Sequence, residues 1–325
     1  MKKVLMVLVL ANTVILSACQ WSGFGKKDLT TSGENETKIP VNSEVKSYEG
    51  TSLSKGKKIA RILGNTAWQG TKVYDKNHND LTQENANFIA LAKYDDETSR
   101  YEFYDKTSKK SRGDYGTFFI TNDGKFRVLI SESKGTHSVV ELTEVTEGKY
   151  TYKRMGKDAK GNDVEVFVEH IPYTEGKLTF SEPKKTLETS TGKMDKQVDG
   201  DQILGSTLWE GTIVLDENGN DVSEYNANFL ALAKYNLETS RYEFFDKKTG
   251  QSRGDYGYYN VLNDNKIRAH ISQGEKKYSA VLEITELNEN KFTYKRVGKN
   301  QDGNDIMITV EHIPYNGELK PEFTQ

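Results

Sequence analysis

Apolar and polar residues alternate with a period of two through most of the chain beyond residue 60, as is typical of half-buried β-strands. Short turns rich in Asn, Asp and Gly interrupt the alternation, and no segment has convincing helical periodicity. In the first half the pattern predicts strands at residues 66–74, 88–94, 100–105, 114–121, 126–131, 138–145, 149–154 and 164–171. Sequential antiparallel strands of this number predict an all-β up-and-down β-barrel, with a β-sandwich as the alternative.

The whole pattern occurs twice. The run that begins at Ile62 is repeated from Ile203, and the match continues to Tyr173 in the first copy and to Tyr315 in the second. Each unit is far longer than a solenoid repeat, so the chain is predicted to contain two similar β-barrel domains in tandem.

Alternation also predicts which residues face the core. Phe126, Val128 and Ile130 lie on one side of their strand and are assigned to the core, while Arg127 lies on the other side. The second copy repeats this with Ile267, Ala269 and Ile271 on the core side and Arg268 opposite.

The last strand of each copy ends in a histidine. In the first copy Val164, Val166 and Val168 point inward, which places His170 at the inner end of that face. His312 has the same position after Ile306, Ile308 and Val310. The histidines are interpreted as residues at the edge of the core rather than as ligands, and no metal site is predicted.

The N-terminus has the features of a lipoprotein signal peptide. A basic start is followed by an apolar run to Leu16 and then by Leu16-Ser17-Ala18-Cys19, which resembles a lipobox. The resemblance implies that Cys19, the only cysteine, receives lipid chains such as palmitate and anchors the mature chain to the extracytoplasmic face of the cell membrane. The predicted divisions are signal peptide 1–18, lipidated cysteine and flexible tether 19–60, barrel 61–173, linker 174–201 and barrel 202–325.

Composition narrows the function classes. The chain has a net charge of -3 and no basic face or base-stacking motif, so there is no reason to expect nucleic acid as a partner. Repeated Ser/His/Asp sets, cysteine nucleophiles in the mature body and glycine-rich phosphate loops are absent from the sequence, so no catalytic residue or cofactor is predicted.

An early tryptophan and a late arginine occur in each copy. Trp68 and Trp209 lie in the first strands, and Arg154 and Arg296 end the seventh strands. This pattern resembles lipocalin-like (calycin) barrels and implies that each arginine covers the tryptophan and closes the barrel. The spacing between glycine and tryptophan is wider than that family's. The whole chain also resembles the uncharacterised tandem-domain lipoproteins of low-GC Gram-positive bacteria, whose domain has no assigned function.

Identity between the copies concentrates in strands two to four. The aromatic and arginine residues of these strands and their loops are the candidate binding residues: Tyr94, Arg100, Tyr101, Phe103, Arg112 and Tyr115, with Tyr235, Arg241, Tyr242, Phe244, Arg253 and Tyr256. These observations predict a non-catalytic binding protein for a small apolar molecule, a cell-wall component or a protein. The alternatives are a peptide pheromone released from residues 11–18 and an uncharacterised extracytoplasmic enzyme.

Overall fold

The computed structural model describes residues 53–183 and 198–324, which form two closed antiparallel barrels of eight strands each. Every strand pairs with the next in sequence, and the last pairs with the first. Barrel 1 contains β1 Ala67–Asp75, β2 Leu91–Asp95, β3 Arg100–Tyr104, β4 Ser111–Ile120, β5 Phe126–Ser131, β6 Thr136–Val145, β7 Tyr150–Lys157 and β8 Asp163–Tyr173. Barrel 2 contains β9 Trp209–Asp216, β10 Leu232–Asn236, β11 Arg241–Phe245, β12 Ser252–Leu262, β13 Ile267–Ser272, β14 Ser279–Asn288, β15 Lys291–Lys299 and β16 Asp305–Pro314. The predicted tandem barrels are therefore confirmed.

Polar turns hold the hairpins together. Between β7 and β8 the carboxylate of Asp158 accepts the backbone N–H groups of Lys160 and Asn162, both at 2.8 Å. Gly161 takes a φ of 82°, a conformation that residues with a Cβ rarely adopt. The polar clusters seen in the sequence thus close tight connections, which leaves the strands to bury the apolar residues.

A short helix closes one end of each barrel, and the sequence pattern did not predict it. Helix α1 spans Lys55–Gly64 in barrel 1, and helix α2 spans Gly200–Gly205 in barrel 2. The indole N–H of Trp68 donates to the carbonyl of Leu63 at 2.9 Å, and Trp209 donates to Leu204 at 3.0 Å. Helix α1 begins within the segment predicted as a flexible tether. The predicted signal peptide and Cys19 lie outside the described residues, and no helix within those residues is long and apolar enough to cross a membrane.

The opposite end of each barrel is covered by a cap segment, residues 85–90 in barrel 1 and 226–231 in barrel 2. The buried amide of Asn85 donates to the carbonyls of Leu81 and Lys157, both at 2.9 Å, and accepts the N–H of Lys157 at 2.8 Å. Asn226 makes the equivalent three bonds in barrel 2. Because all polar atoms of the asparagine amide are used, the segment is tied firmly across the end of the barrel.

The face assignment for β5 and β13 was wrong, whereas that for β8 and β16 is confirmed. Arg127 points into barrel 1, where it bonds to Tyr94, while Val128 and Ile130 point outward. The outward residues are nevertheless buried, because barrel 2 packs on them. Because these strands are buried on both faces, alternation alone does not show which face points into the barrel.

The two barrels belong to one compact unit and meet along a seam, formed by Phe119, Val128 and Ile130 of barrel 1 and Ala269 and Ile271 of barrel 2. Polar contacts flank it in an approximately two-fold arrangement. The Asn122 amide donates to the carbonyl of Leu237 at 2.8 Å, and that of Asn263, its counterpart, donates to Thr98 at 3.2 Å. Since the same turn of each barrel contacts the β-hairpin turn of the other, the seam resembles the interface of a symmetric dimer.

A strap follows each barrel and packs against its outer wall, at residues 178–181 in barrel 1 and 321–324 in barrel 2. Glu102 is fully buried beneath the first strap and accepts the N–H and hydroxyl of Ser181 at 2.7 and 2.6 Å. Glu243 accepts the N–H and hydroxyl of Thr324 at 2.8 and 2.5 Å. The first part of the predicted linker is thus an integral part of barrel 1.

Candidate binding surfaces

The interior of barrel 1 is filled by side chains around a buried cation. Arg127 donates to the hydroxyl of Tyr94 at 2.7 Å, and its guanidinium lies 4.4 Å from the ring centre of Tyr152. His170 stacks on Tyr150 at 4.5 Å. Burial, reinforced by the charge of Arg127, lowers the pKa of His170 to about 3, so this histidine is neutral at pH 7.

Barrel 2 repeats this arrangement with substitutions. Arg268 donates to the hydroxyl of Tyr235 and lies 4.7 Å from the ring centre of Tyr294. Burial lowers the pKa of His312 to about 3. A further histidine, His270, occupies the position of Leu129, and burial lowers its pKa well below the usual range. Barrel 2 therefore buries one more neutral histidine than barrel 1.

The closure implied by the lipocalin-like resemblance, Arg154 over Trp68 and Arg296 over Trp209, is wrong. The guanidinium of Arg154 lies over the Phe88 ring at 4.0 Å, and that of Arg296 lies over Phe229 at 3.8 Å. The tryptophans pack at the helix-closed ends, while the arginines lie at the opposite ends against the cap segments. The positions of these residues within their strands did not predict the arginine contacts, because the tilt of the strands decides which residues meet at each end of the barrel.

The predicted binding residues fall into three environments. The four tyrosines Tyr94, Tyr101, Tyr235 and Tyr242 are buried, and Phe103 and Phe244 pack partly buried against neighbouring aromatic rings. Arg100 and Arg241 lie over Phe180 and Phe323 of the straps, at 4.8 and 5.6 Å. The remaining candidates, Arg112, Tyr115, Arg253 and Tyr256, retain exposed surface. Of these, the arginines lie beside the cap segments.

Three cations converge on each cap segment, and we name these groups the cation clusters. In barrel 1 Arg112 donates to the carbonyl of Asn87 at 3.0 Å, and Arg154 stacks on the adjacent Phe88. Lys106 donates to the carbonyl of Gly70 at 3.2 Å, and the N–H of Gly70 bonds to the cap segment at Ala90. The barrel 2 cluster consists of Lys247, Arg253 and Arg296, which contact Gly211, Asn228 and Phe229. Sequence reasoning missed Lys106 and Lys247 as binding residues, although their recurrence in both copies was a visible signal.

A groove of about 550 Å³ lies beside the seam, between α1 and β12. Its wall contains Lys57, which forms ion pairs with Asp199 and, at 3.5 Å, with Asp201. Burial raises the pKa of the Asp201 carboxyl despite the nearby ammonium. No cluster of three or more metal-binding side chains occurs within the described ranges, the groove included.

These features define a class of protein: two β-barrels, each closed at both ends, fused side by side. The family model described as a domain of unknown function (DUF4822) matches residues 60–180 and 201–323, so the chain belongs to this family and carries its domain twice. Both matches extend into the straps. No curated protein matches the chain. A crystal structure of a protein with unknown function from the DUF3598 family of Nostoc punctiforme shares 9% identity over 82% of this chain and 100% of that chain. The TM-score of this comparison is 0.22.

Proposed function

We propose that this protein is a lipid-anchored, non-catalytic binding protein of the extracytoplasmic membrane face, held there by lipid on Cys19. It engages a cell-wall component or a protein through the capped ends of its barrels. The observation that carries this proposal is that one compact unit presents the same capped end twice. Two equivalent sites on one body raise the avidity for a target that offers repeated binding groups.

The filled interiors argue against the version in which a barrel encloses a small apolar molecule. Trp68 and Tyr150 are fully buried in barrel 1, and Trp209 and Phe292 are fully buried in barrel 2. A ligand inside either barrel would have to displace these rings, which make close contacts with one another and with the central arginines. The outer surface is therefore the better candidate for recognition.

Expression of the full chain in a Gram-positive host tests the anchoring. We expect the wild-type protein to sediment with membranes and the Cys19→Ser variant, which cannot accept a thioether-linked lipid, to be released. Mass spectrometry of the medium also detects any peptide from residues 11–18. Equal distribution of the two forms would contradict lipid anchoring.

Sedimentation with isolated cell envelopes tests the binding. The mature chain is mixed with envelopes before and after protease treatment, which separates a wall polymer from a protein partner. Retention by the envelopes supports the proposal, and failure to bind either preparation contradicts it.

The seam groove supports a second candidate, a small polar molecule bound between the barrels. Its wall combines Lys57 and Asp199 with apolar residues such as Phe119 and Leu262. Native mass spectrometry of protein purified from its host tests this candidate. A retained small molecule that is lost in Phe119→Trp, which narrows the groove, supports it, and a ligand-free spectrum contradicts it.

A further inference from the structure

We propose that the cation clusters bind phosphate groups of an extracytoplasmic polymer with a phosphodiester backbone, and that the barrel 1 cluster binds more tightly. This inference rests on the proposed binding role and specifies its ligand. It assigns Lys106, Arg112 and Arg154 to the first site and Lys247, Arg253 and Arg296 to the second.

The cations of barrel 1 contact neighbouring residues. Arg112 contacts Asn87 and Arg154 contacts the next residue, Phe88, and consecutive Cα atoms are about 3.8 Å apart. Lys106 reaches Gly70, whose backbone lies against residues 88–90. Two of the cations thus contact one four-residue stretch, and the third contacts the residue bonded to it, so the three charges are concentrated at this end of the barrel.

Few acidic groups accompany the cations of barrel 1. Among the described residues, neither Arg112 nor Arg154 forms an ion pair, and the buried Nε of Arg154 has no hydrogen-bond partner. Asp105 is the nearest acid along the chain to Lys106. Its hydrogen bonds from Ser108 and Thr107 and, to a lesser extent, the charge of Arg112 lower its pKa. With three cations against one carboxylate, the cluster keeps a net positive charge.

Two arginines and a lysine form a donor set that suits phosphate. Guanidinium groups present several N–H donors in a plane and bind phosphate oxygens with paired hydrogen bonds, which suits a phosphodiester. The lysine ammonium adds a compact charge that strengthens the attraction to phosphate without fixing the direction of the hydrogen bonds. Two such clusters on one body favour a polymer over a free phosphate ion, because a polymer engages both at once.

The two clusters are not equal. In barrel 2 Lys247 is paired with Glu210 at 2.8 Å, whereas barrel 1 has the uncharged Gln69 at that position. The Nε of Arg296 donates to the carbonyl of Val297 at 3.4 Å, so it also has a partner that Arg154 lacks. An anion binding to barrel 2 competes with Glu210, which predicts weaker binding there.

The test measures binding of fluorescent poly(glycerol phosphate) to the mature tandem chain at low and moderate salt. Replacing Arg112 and Arg154 by Gln is expected to weaken binding about tenfold and to reduce its salt dependence, since charge-assisted hydrogen bonds are lost. The same change at Arg253 and Arg296 is expected to have a smaller effect. Glu210→Gln is expected to strengthen binding by removing the competing carboxylate.

The matched control replaces Lys58 and Lys125 by Gln, which removes the same charge at the helix-closed end of barrel 1. Arg112→Gln alone serves as a second variant, because its exposed side chain contributes little to folding. The inference is overturned if the Arg112 variants bind the polymer as well as the control does. Preferential binding to vesicles of anionic phospholipid also overturns it. If these variants still bind envelopes normally, the ligand assignment fails while the proposed function stands.

Discussion

The two barrels share a framework but differ where they face one another and at their cores. Both retain the tryptophan bonded to a closing helix, the arginine bonded to a tyrosine, and the glutamate beneath a strap. The differences include Leu129 against His270, Tyr150 against Phe292 and the lengths of the closing helices. Contacts that close a barrel are thus repeated, while the residues between them vary. The repeated contacts are those that the fold needs, and the varied residues distinguish the copies.

Replacing the tryptophan that bonds to each closing helix is expected to have the largest effect on stability. Trp68→Ala and Trp209→Ala should each reduce the free energy of unfolding by about 3–5 kcal/mol, because each leaves a large cavity and an unpaired helix carbonyl. The loss should be greater in barrel 1, where Trp68 lies 4.9 Å from Tyr150, than in barrel 2, where Trp209 lies 6.1 Å from Phe292.

Urea denaturation measures these losses in a Trp21→Phe background, so that the fluorescence of the tryptophan in the other barrel alone reports whether both barrels unfold together. A loss below about 1 kcal/mol for either variant would show that the tryptophan is not part of the shared framework.

Lowering the pH is expected to destabilise barrel 2 more than barrel 1. A histidine with a depressed pKa contributes stability that is present above its ordinary pKa of about 6.5 and is lost as the pH falls toward its folded value. For His170 and His312 the folded value is about 3. Between pH 6.5 and 4.5 His170 and His312 should therefore each cost about 2–3 kcal/mol. Barrel 2 should lose further stability through the buried His270, whose pKa is also depressed.

Hydrogen exchange of peptides from each barrel, measured at both pH values, resolves this difference. His270→Leu introduces the residue of barrel 1 and should reduce the acid response of barrel 2, which then retains His312, while barrel 1 retains His170 and the partly buried His137, whose pKa burial also lowers. An unchanged acid response of barrel 2 in this variant would contradict the assignment of His270 as a neutral buried group.

Substitutions in the straps should have the smallest effect on stability. Ser181→Ala and Thr324→Val each remove a hydroxyl bond to a buried glutamate, at an expected cost of about 1–2 kcal/mol. The cost should be lower in barrel 2, because the Glu243 oxygen that loses the threonine hydroxyl keeps Ser252, at 2.5 Å. In barrel 1 the other hydroxyl partner of Glu102, Tyr104, bonds to its second oxygen, at 3.2 Å. Thermal unfolding measures the difference, and an unchanged midpoint for both variants would indicate that the straps do not stabilise the barrels.

Period-two patterning predicted the barrels because short antiparallel strands with polar turns determine most of their geometry. The same pattern misassigned Arg127, since burial of Val128 depends on a second barrel that local periodicity does not report. Helix α1 was missed because its apolar residues Ile59, Ile62 and Leu63 are few and follow a polar segment. The buried tyrosines were included among the candidate binding residues for a similar reason. Residues that stabilise the barrel and residues on its surface both recur in the two copies, and only the three-dimensional contacts distinguish them.

The approximate two-fold arrangement of the seam has an evolutionary consequence. In a dimer of identical chains every interface residue must be compatible with its own symmetry mate, so a change on one side is imposed on the other. Fusion into a single gene removes this restriction, and here Thr117 and Phe126 of barrel 1 have Tyr258 and Ile267 as counterparts in barrel 2. Phe126 now packs on Tyr258 at 5.2 Å, a pairing that identical subunits would have to form twice. Covalent linkage thus allows the two copies to specialise while it keeps them in equal amounts.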